Sequence, residues 1–500
     1  MKPPTRTFSL DDLPEVFPTS TAISEPLQRA VRAGKARKLA GRLYTRNVEE
    51  PLEGIARRNW QTVVAHYFPN AVVADRSAIE AKPASDGSLF LDAGPDYAGR
   101  RPAVVPGLKL RPRKGTGPVE GDMPYMGIHI ASQPRAILEN TRPSRARGGV
   151  SRTYSRPELE AELSRIIEQR GRNGLNELRD QAREIAPSLK AEEEMDLLDD
   201  LIGSVLGTRN SDLETDAARA HQAGIGFDSR RIDLFASLQA ELLRHPFARR
   251  EEQHGSFPAL SFFEAYFSNW IEGTEFEVEE AEGIVFESKI PKRREEDAHD
   301  VLGTYEIIND PKQRSERADD PGAFLELLRK RHGQMLGRRP QAIPGSFKEV
   351  PNRAGSTSFV SPKLVQGTLV EGWRYLEPLP DGLGRAIFLM FLISEVHPFQ
   401  DGNGRVGRVF MNAELSAVGQ QRIAIPLSYR EDYLGGLRAL SRGGDPRPLI
   451  RVLDFAQHYS AAIDWSDLSR ARQMLEESNA FVPPDEAEQT GRRLRLPAMG

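Results

Sequence analysis

His397-Pro-Phe-Gln-Asp-Gly-Asn-Gly-Arg-Val-Gly-Arg408 is the stretch that decides how this chain is read. An apolar helical segment, residues 384–396 (GRAIFLMFLISEV), precedes it, and a second helical pattern, residues 409–418 (VFMNAELSAV), follows. The local context is therefore helix, loop, helix. Gly402, Asn403 and Gly404 let the backbone bend tightly and bring N–H groups forward. The loop feeds a helix start, with its free donors and partial positive charge, so the two together make an anion cradle. Arg405 and Arg408 stand three apart on one side of that start and suit a fork around phosphate oxygens. Asp401 is out of place beside an anion unless it holds a cation, and Mg2+ on a polyphosphate is the natural one. His397 adds a base at neutral pH. The set points to phosphoryl-type transfer by positioning and electrostatics.

Two other readings fit less well. Gly402-x-Gly404-x-x-Gly407 has the form of a dinucleotide fingerprint, but Pro398 interrupts the preceding segment and residues 422–427 (RIAIPL) offer no acid at the required distance. A structural cluster, with His397 simply capping a helix, leaves the other positions without a reason. His245-Pro-Phe247 is the control: it repeats the first three residues but has no glycine loop after it, and reads as structural.

The twelve-residue string matches the full motif of the Fic family, H-P-F-x-[D/E]-G-N-G-R-x-x-R, and the wider resemblance runs from Phe257 to His458. It implies a helical bundle with one β-hairpin flap, and transfer of AMP from ATP to a hydroxyl of a target protein with release of pyrophosphate. By motif position His397 resembles the general base and Phe399 the residue that anchors the loop in the core. Asp401 corresponds to the Mg2+ ligand, and Gly402, Asn403 and Gly404 to the anion nest. Arg405 and Arg408 correspond to the residues that meet the β- and γ-phosphates. A phosphorylating branch of the family carries Lys where this chain has Gly404, so the resemblance favours nucleotidyl transfer.

Upstream, Ser268-Asn-Trp-Ile-Glu272-Gly273 places Ser268 and Glu272 one helical turn apart, with Gly273 suited to ending the helix. On its own this is an ordinary glutamate at a helix end. Beside the Fic resemblance it matches the inhibitory motif [S/T]-x-x-x-E-[G/N], in the arrangement that places it N-terminal to the catalytic motif. Glu272 is then expected to pair with Arg408 and occupy the γ-phosphate position, and in some relatives the same glutamate also helps remove AMP. Residues 344–369 take the place of the flap, with Lys348 where many members carry Arg. Tyr429 and Tyr433 are equally candidates for the adenine pocket and for the core, and Tyr433 is carried forward as nucleotide-binding.

The rest of the chain sets the frame. Five hundred residues allow about three domains. There is no cysteine, which excludes disulfide scaffolds, thiol nucleophiles and thiolate metal sites. The longest strongly apolar run, Ala386 to Ile393, is too short for a membrane span, no secretory signal is seen, and a cytoplasmic protein with no membrane contact is expected. Lys and Arg number 68 against 72 Asp and Glu, a net charge of −4. Within it, residues 25–60 hold nine basic and four acidic residues, a local +5.

Short helices broken at Gly34 and Gly41, a hairpin edge at residues 41–46 and a helix over 56–66 suggest helix, helix, basic ribbon. Residues 41–47 (GRLYTRN), 56–80, 105–110 (VPGLKL) and 130–139 (IASQPRAILE) resemble an antitoxin of the AbiEi type, which implies a winged helix followed by a small β-rich domain. DNA contact through residues 25–66 and a solvated basic face are both open. The expected fold class is mainly α: a helical Fic domain with a β-hairpin flap, preceded by a smaller α/β winged-helix-like and β-rich module. The expected order is a flexible tail (1–24), a winged-helix-like domain (25–82), a β-rich domain (83–140), a linker and helical segment (141–231), the Fic domain with its inhibitory helix (232–469) and a polar tail (470–500). The expected substrate and cofactor are ATP and Mg2+, and the partner is a protein bearing a Ser, Thr or Tyr hydroxyl. Self-modification and a homodimer are open. So are a DNA-binding regulator that uses the domain to sense nucleotide and an enzyme taking another donor such as UTP.

Overall fold

The basic ribbon near the N-terminus forms, but in a different order from the expected one. Strands β1 (Val16–Pro18), β2 (Arg37–Ala40) and β3 (Leu43–Thr45) make an antiparallel sheet in the order β1-β3-β2. One helix, Ser24–Arg32, precedes the hairpin, and two, Leu52–Arg58 and Trp60–Tyr67, follow it. The stretch between Gly34 and Gly41, expected as a short helix, is β2, because pairing with β3 buries Leu39 and Ala40. The winged-helix reading is thus left without a second helix ahead of its ribbon. The structure, a computed structural model, describes residues 9–99, 103–146, 149–252 and 258–497. The outer ends of both expected tails, linker residues 147 and 148, and Phe257 lie outside the described residues. The chain divides into two units, Met1–Gly224 and Ile225–Gly500.

In the first unit a mixed five-stranded sheet runs across the expected boundary at residue 82. Its strands are β4 (Val72–Val73), β5 (Ser88–Asp92), β6 (Lys109–Arg113), β7 (Met123–Tyr125) and β8 (Ile128–Ile130), in the order β6-β5-β4-β8-β7. One core takes in Val16, Leu43, Ile55, Val63, Leu89 and Ile128, from both sides of that boundary, while Phe17, Leu27, Ala36 and Tyr44 form a smaller cluster of their own. The helices Arg156–Leu189, Glu192–Val205 and Asp216–Gln222 then pack around Leu163, Leu178, Leu198 and Ile202. Ser155 and Glu158 form a capping box that starts the first of them. Part of the expected linker is tied down: Thr153 Oγ1 donates to the Arg142 carbonyl at 2.6 Å, and Tyr154 N–H donates to Asn140 Oδ1 at 2.7 Å.

The second unit is helical around a central pair, Leu383–Val396 and Asn403–Ala417. The first of these is apolar on nearly every side and almost wholly buried, as a helix enclosed by others must be. Ser229–Leu242, Pro258–Ile271, Glu295–Asn309, Pro321–Met335 and Val365–Leu376 surround the pair. The flap is a two-stranded hairpin of β9 (Arg353–Ala354) and β10 (Thr357–Ser358), turned at Gly355 with φ +56°.

The polar tail expected from residue 470 is corrected over its first part. Helix Leu468–Glu477 buries Ala471 and Leu475, four apart on one face, and Ala480 is buried after it. The Phe481 ring lies 5.5 Å from Phe267 and 5.9 Å from Phe263 on Pro258–Ile271. Among the described residues no helix is long and apolar enough to cross a membrane.

Candidate active site

The loop geometry follows from where the central helix has to stop. Leu383–Val396 ends at His397, which takes the left-handed conformation (φ 54°, ψ 59°), and Pro398 prevents the helix from resuming. Phe399 is fully buried. Asn403 closes the loop with both ends of its amide: its Oδ1 accepts from Phe399 N–H at 2.8 Å, and its Nδ2 donates to the Phe399 carbonyl at 2.9 Å. Gly402 lies at φ +75°, where a Cβ would sit 2.6 Å from Leu336 Cδ1, so glycine is required on two counts. Val406 N–H donates to Gly402 O at 3.0 Å, and the N–H groups ahead of it at the start of Asn403–Ala417 have no acceptor within the helix.

The His397 ring is fixed on both nitrogen and face. Nδ1 lies 3.2 Å from the Ser394 carbonyl, which can only accept, so the proton is on Nδ1 and Nε2 keeps its lone pair. The Phe359 ring, just past the flap, stacks on the imidazole at 3.7 Å with the planes 5° apart. Burial pushes the imidazole pKa down to about 4. The Ser394 carbonyl, Glu272 and Asp401 pull the other way, and nearby Lys348 adds to the lowering. Lys348 is itself buried, and that pushes its amine down to about 7.

Both arginines are buried rather than standing free as a fork. Arg405 Nη1 donates to Asp300 Oδ2 at 2.6 Å and to Asn269 Oδ1 at 3.3 Å, while Nη2 donates to Asp401 Oδ2 at 3.4 Å. Asp300, 1 % exposed, also accepts from Arg339 Nε at 2.7 Å. Arg408 Nε donates to Ser268 Oγ at 2.9 Å, and its Nη2 to the Ser268 carbonyl at 2.8 Å and Glu272 Oε1 at 2.7 Å. Desolvation acts to raise the Glu272 carboxyl, but Arg408 and Arg405 outweigh it and hold the pKa below its usual value. Gly273 ends this turn at φ +90°. The structure therefore brings Ser268, Glu272, Asp401, Arg405 and Arg408 into one cluster.

Tyr433 is placed differently from the adenine pocket considered for it. It is 0 % exposed, its hydroxyl donates to Met390 Sδ at 3.4 Å, and the Arg408 guanidinium lies 5.9 Å from its ring. It packs beneath Arg408 in the core. Asp401 fits a cation of one kind. Its carboxylate is half exposed beside the cradle, and no cluster of three or more His, Asp or Glu that could hold a metal exists among the described residues. Such a site suits Mg2+ held by one carboxylate together with phosphate oxygens and water.

Sequence reasoning missed Asn269, Asp300, His332 and Phe359. Asp300 comes from Glu295–Asn309, 105 residues before its partner Arg405, in a segment with no local signature. Asn269 and Phe359 lie inside segments already singled out, but nothing in their spacing marks them.

The family model described as "Fic/DOC family" matches residues 324–415. The protein adenylyltransferase fic-1 of Caenorhabditis elegans is 27% identical over 164 residues, 31% of this chain and 32% of that protein. The protein adenylyltransferase Fic of Drosophila mojavensis is 38% identical over 138 residues, 26% of each. The chain thus spans about a third or less of the length of the curated relatives it matches. A solved structure of Fic-1 residues 134–508 from C. elegans covers 65% of this chain and 90% of its own, with 19% identity and a TM-score of 0.36. The flap hairpin, the motif loop and all but the last two residues of the central helix pair lie inside residues 324–415, so it is this segment that is similar to the Fic/DOC family.

Proposed function

We propose that this chain is a protein adenylyltransferase, moving AMP from ATP to a hydroxyl on a target protein, and that Glu272 holds it in check. The 2.7 Å contact of Arg408 with Glu272 carries the reading, because a carboxylate there takes the place of the anion that the arginine would otherwise hold. His397 Nε2 would accept the hydroxyl proton as that oxygen bonds to the α-phosphorus and the bond to the leaving pyrophosphate breaks. The loop donors ahead of Val406, with Arg405 and a released Arg408, would bind the phosphates. Asp401 would hold Mg2+, which when bound offsets phosphate charge. Asp300 and Asn269 would keep Arg405 oriented, and Phe359 would keep water off one face of the base. The resemblance supports a reverse role as well, with Glu272 aiding removal of AMP.

The test is incubation with α-labelled ATP and Mg2+, comparing wild type, Glu272→Gly and His397→Ala in the Glu272→Gly background. The proposal expects label on the protein or an added target with Glu272→Gly alone. Folded variants that all stay unlabelled would sink it. Parallel reactions with UTP and GTP decide the donor.

A second role rests on the first unit. Arg29, Arg32, Lys35, Lys38, Arg42 and Arg46 are exposed on and around the hairpin, whereas Arg37, Arg57 and Arg58 are used internally, on the Asn47, Gly107 and Ser85 carbonyls and on Glu15. The six exposed cations would neutralise DNA phosphates, so duplex binding should weaken steeply with salt. Binding that ignores salt would reject that role.

A further inference from the structure

His332 lies on Pro321–Met335, away from the motif, and the reaction outlined above gives it no part. The residue is completely buried. Its ring lies parallel to Phe399 at 3.7 Å, with the planes 2° apart. Gly345 N–H donates to Nδ1 at 3.0 Å, and Nε2 lies 3.0 Å from the Asp401 carbonyl. An N–H can only donate and a carbonyl can only accept, so the proton sits on Nε2. One donor, one acceptor and one flat face are all in use.

The two groups it joins belong to different parts of the site. Gly345 begins the lead-in to the flap, which continues through Phe347, 5.5 Å from the Phe399 ring, to Lys348, whose N–H donates to the Pro398 carbonyl at 2.9 Å. Asp401 sits at the loop's outer turn with its carboxylate half exposed. Among the described residues, that carboxylate's hydrogen bonds are from Gly402 N–H, at 2.6 Å, and Arg405, at 3.4 Å. Its direction is therefore set by the backbone at 401, and the glycine that follows supplies little stiffness.

We infer that His332 is a positioning residue: it fixes the backbone of Asp401 and the ring of Phe399 to the flap lead-in, so that the carboxylate and the flap hold one relative geometry. The inference rests on the adenylyltransferase reading for its consequence in turnover, but not for its structural content.

The experiment uses the full chain carrying Glu272→Gly, with His332→Phe and His332→Gln added separately. Phenylalanine keeps a flat ring for the stack and removes both hydrogen bonds. Glutamine keeps a donor and an acceptor and removes the ring. Thermal melting, amide exchange at residues 345 and 401–405, and AMP transfer as a function of Mg2+ and of ATP are measured on each. The expected result for His332→Phe is a cooperative melt close to the parent's, with exchange at 401–405 faster by about tenfold or more. The Mg2+ needed for half-maximal rate should rise severalfold, and kcat should fall by about 10- to 100-fold, more than the KM for ATP changes. His332→Gln should recover part of both losses. Parent-like exchange and Mg2+ dependence in His332→Phe would overturn the inference. So would equal defects in both variants that follow their melting temperatures, since that is the behaviour of a packing residue. If the Glu272→Gly parent itself transfers nothing, the enzymatic reading fails, and the exchange data still decide the role of His332.

Discussion

Glu272 lies directly against Gly404: a Cβ at position 404 would overlap Glu272 Oε1. The glycine that gives the loop its open nest in the sequence is thus the surface on which the carboxylate rests. Removing that carboxylate should free Arg408 and the nest together. Glu272→Gly is expected to raise transfer by at least about tenfold, equivalent to about 1.4 kcal/mol. Arg408, 4 % exposed, then keeps its two bonds to Ser268 but loses the Glu272 carboxylate, so the variant should melt a few degrees lower. Labelling and thermal melting on the same preparation check both.

His397→Ala in the released background should lose about 10²- to 10⁴-fold in rate, the usual contribution of a positioned base. Nucleotide binding, followed by calorimetry, should be nearly unchanged, because the imidazole is bonded to the Ser394 carbonyl and belongs to no phosphate contact proposed above.

The pH dependence should look unlike that of a free histidine. The base works unprotonated, so the rate falls as pH drops through its pKa. Burial, the largest influence, moves that pKa from an ordinary 6.5 to about 4. In Glu272→Gly one of the opposing carboxylates is gone, which moves it no higher. Rates measured from pH 8 to pH 5.5 should therefore be flat on the acid side. An acid limb centred near 6.5 would contradict the burial seen for this ring.

Asp300→Ala should be costly in a way that Asp300→Asn is not. The alanine leaves buried Arg405 without its closest carboxylate, a loss of about 3–5 kcal/mol for a broken buried pair. The asparagine keeps an acceptor and should lose less. Denaturant melts of the two variants give the comparison, and equal destabilisation would show that the charge is immaterial.

Leu475→Ala should cost about 2–5 kcal/mol, as for a fully buried leucine in a tight core. A residue in a loose polar tail would cost nothing, so a denaturant melt separates the two descriptions.

The sequence made the motif loop legible because its chemistry is local: twelve consecutive residues supply the turn, the cradle and the base. The pairing of Glu272 with Arg408 was legible only through the resemblance, since 136 positions separate them and no spacing rule spans that gap. Asp300 and His332 had no signal, because a single buried polar residue becomes recognisable only when its partners are in place. The tail was misjudged for a related reason. Residues 481–500 are polar in composition, but Phe481, with Leu475 and Ala480 before it, suffices to seal one side of Pro258–Ile271. At the N-terminus the nine cations could be counted, but not which of them bond within the chain, as Arg37, Arg57 and Arg58 do.

Under the AMP transfer proposed above, the Phe359–His397 stack would bear on which hydroxyls can react. With one face covered and Nδ1 occupied, the free nitrogen is reachable only along the edge of a ring that cannot turn to meet its substrate. A swivelling base could serve hydroxyls arriving at several depths. A clamped one behaves as a ruler, accepting a side chain whose reach equals the gap between the docked backbone and that edge. Serine and threonine place the oxygen one bond beyond Cβ, while tyrosine places it a full ring further out. The flap and this fixed edge would therefore select by length, and a protein chain set at one height would offer the enzyme either short hydroxyls or long ones, but not both.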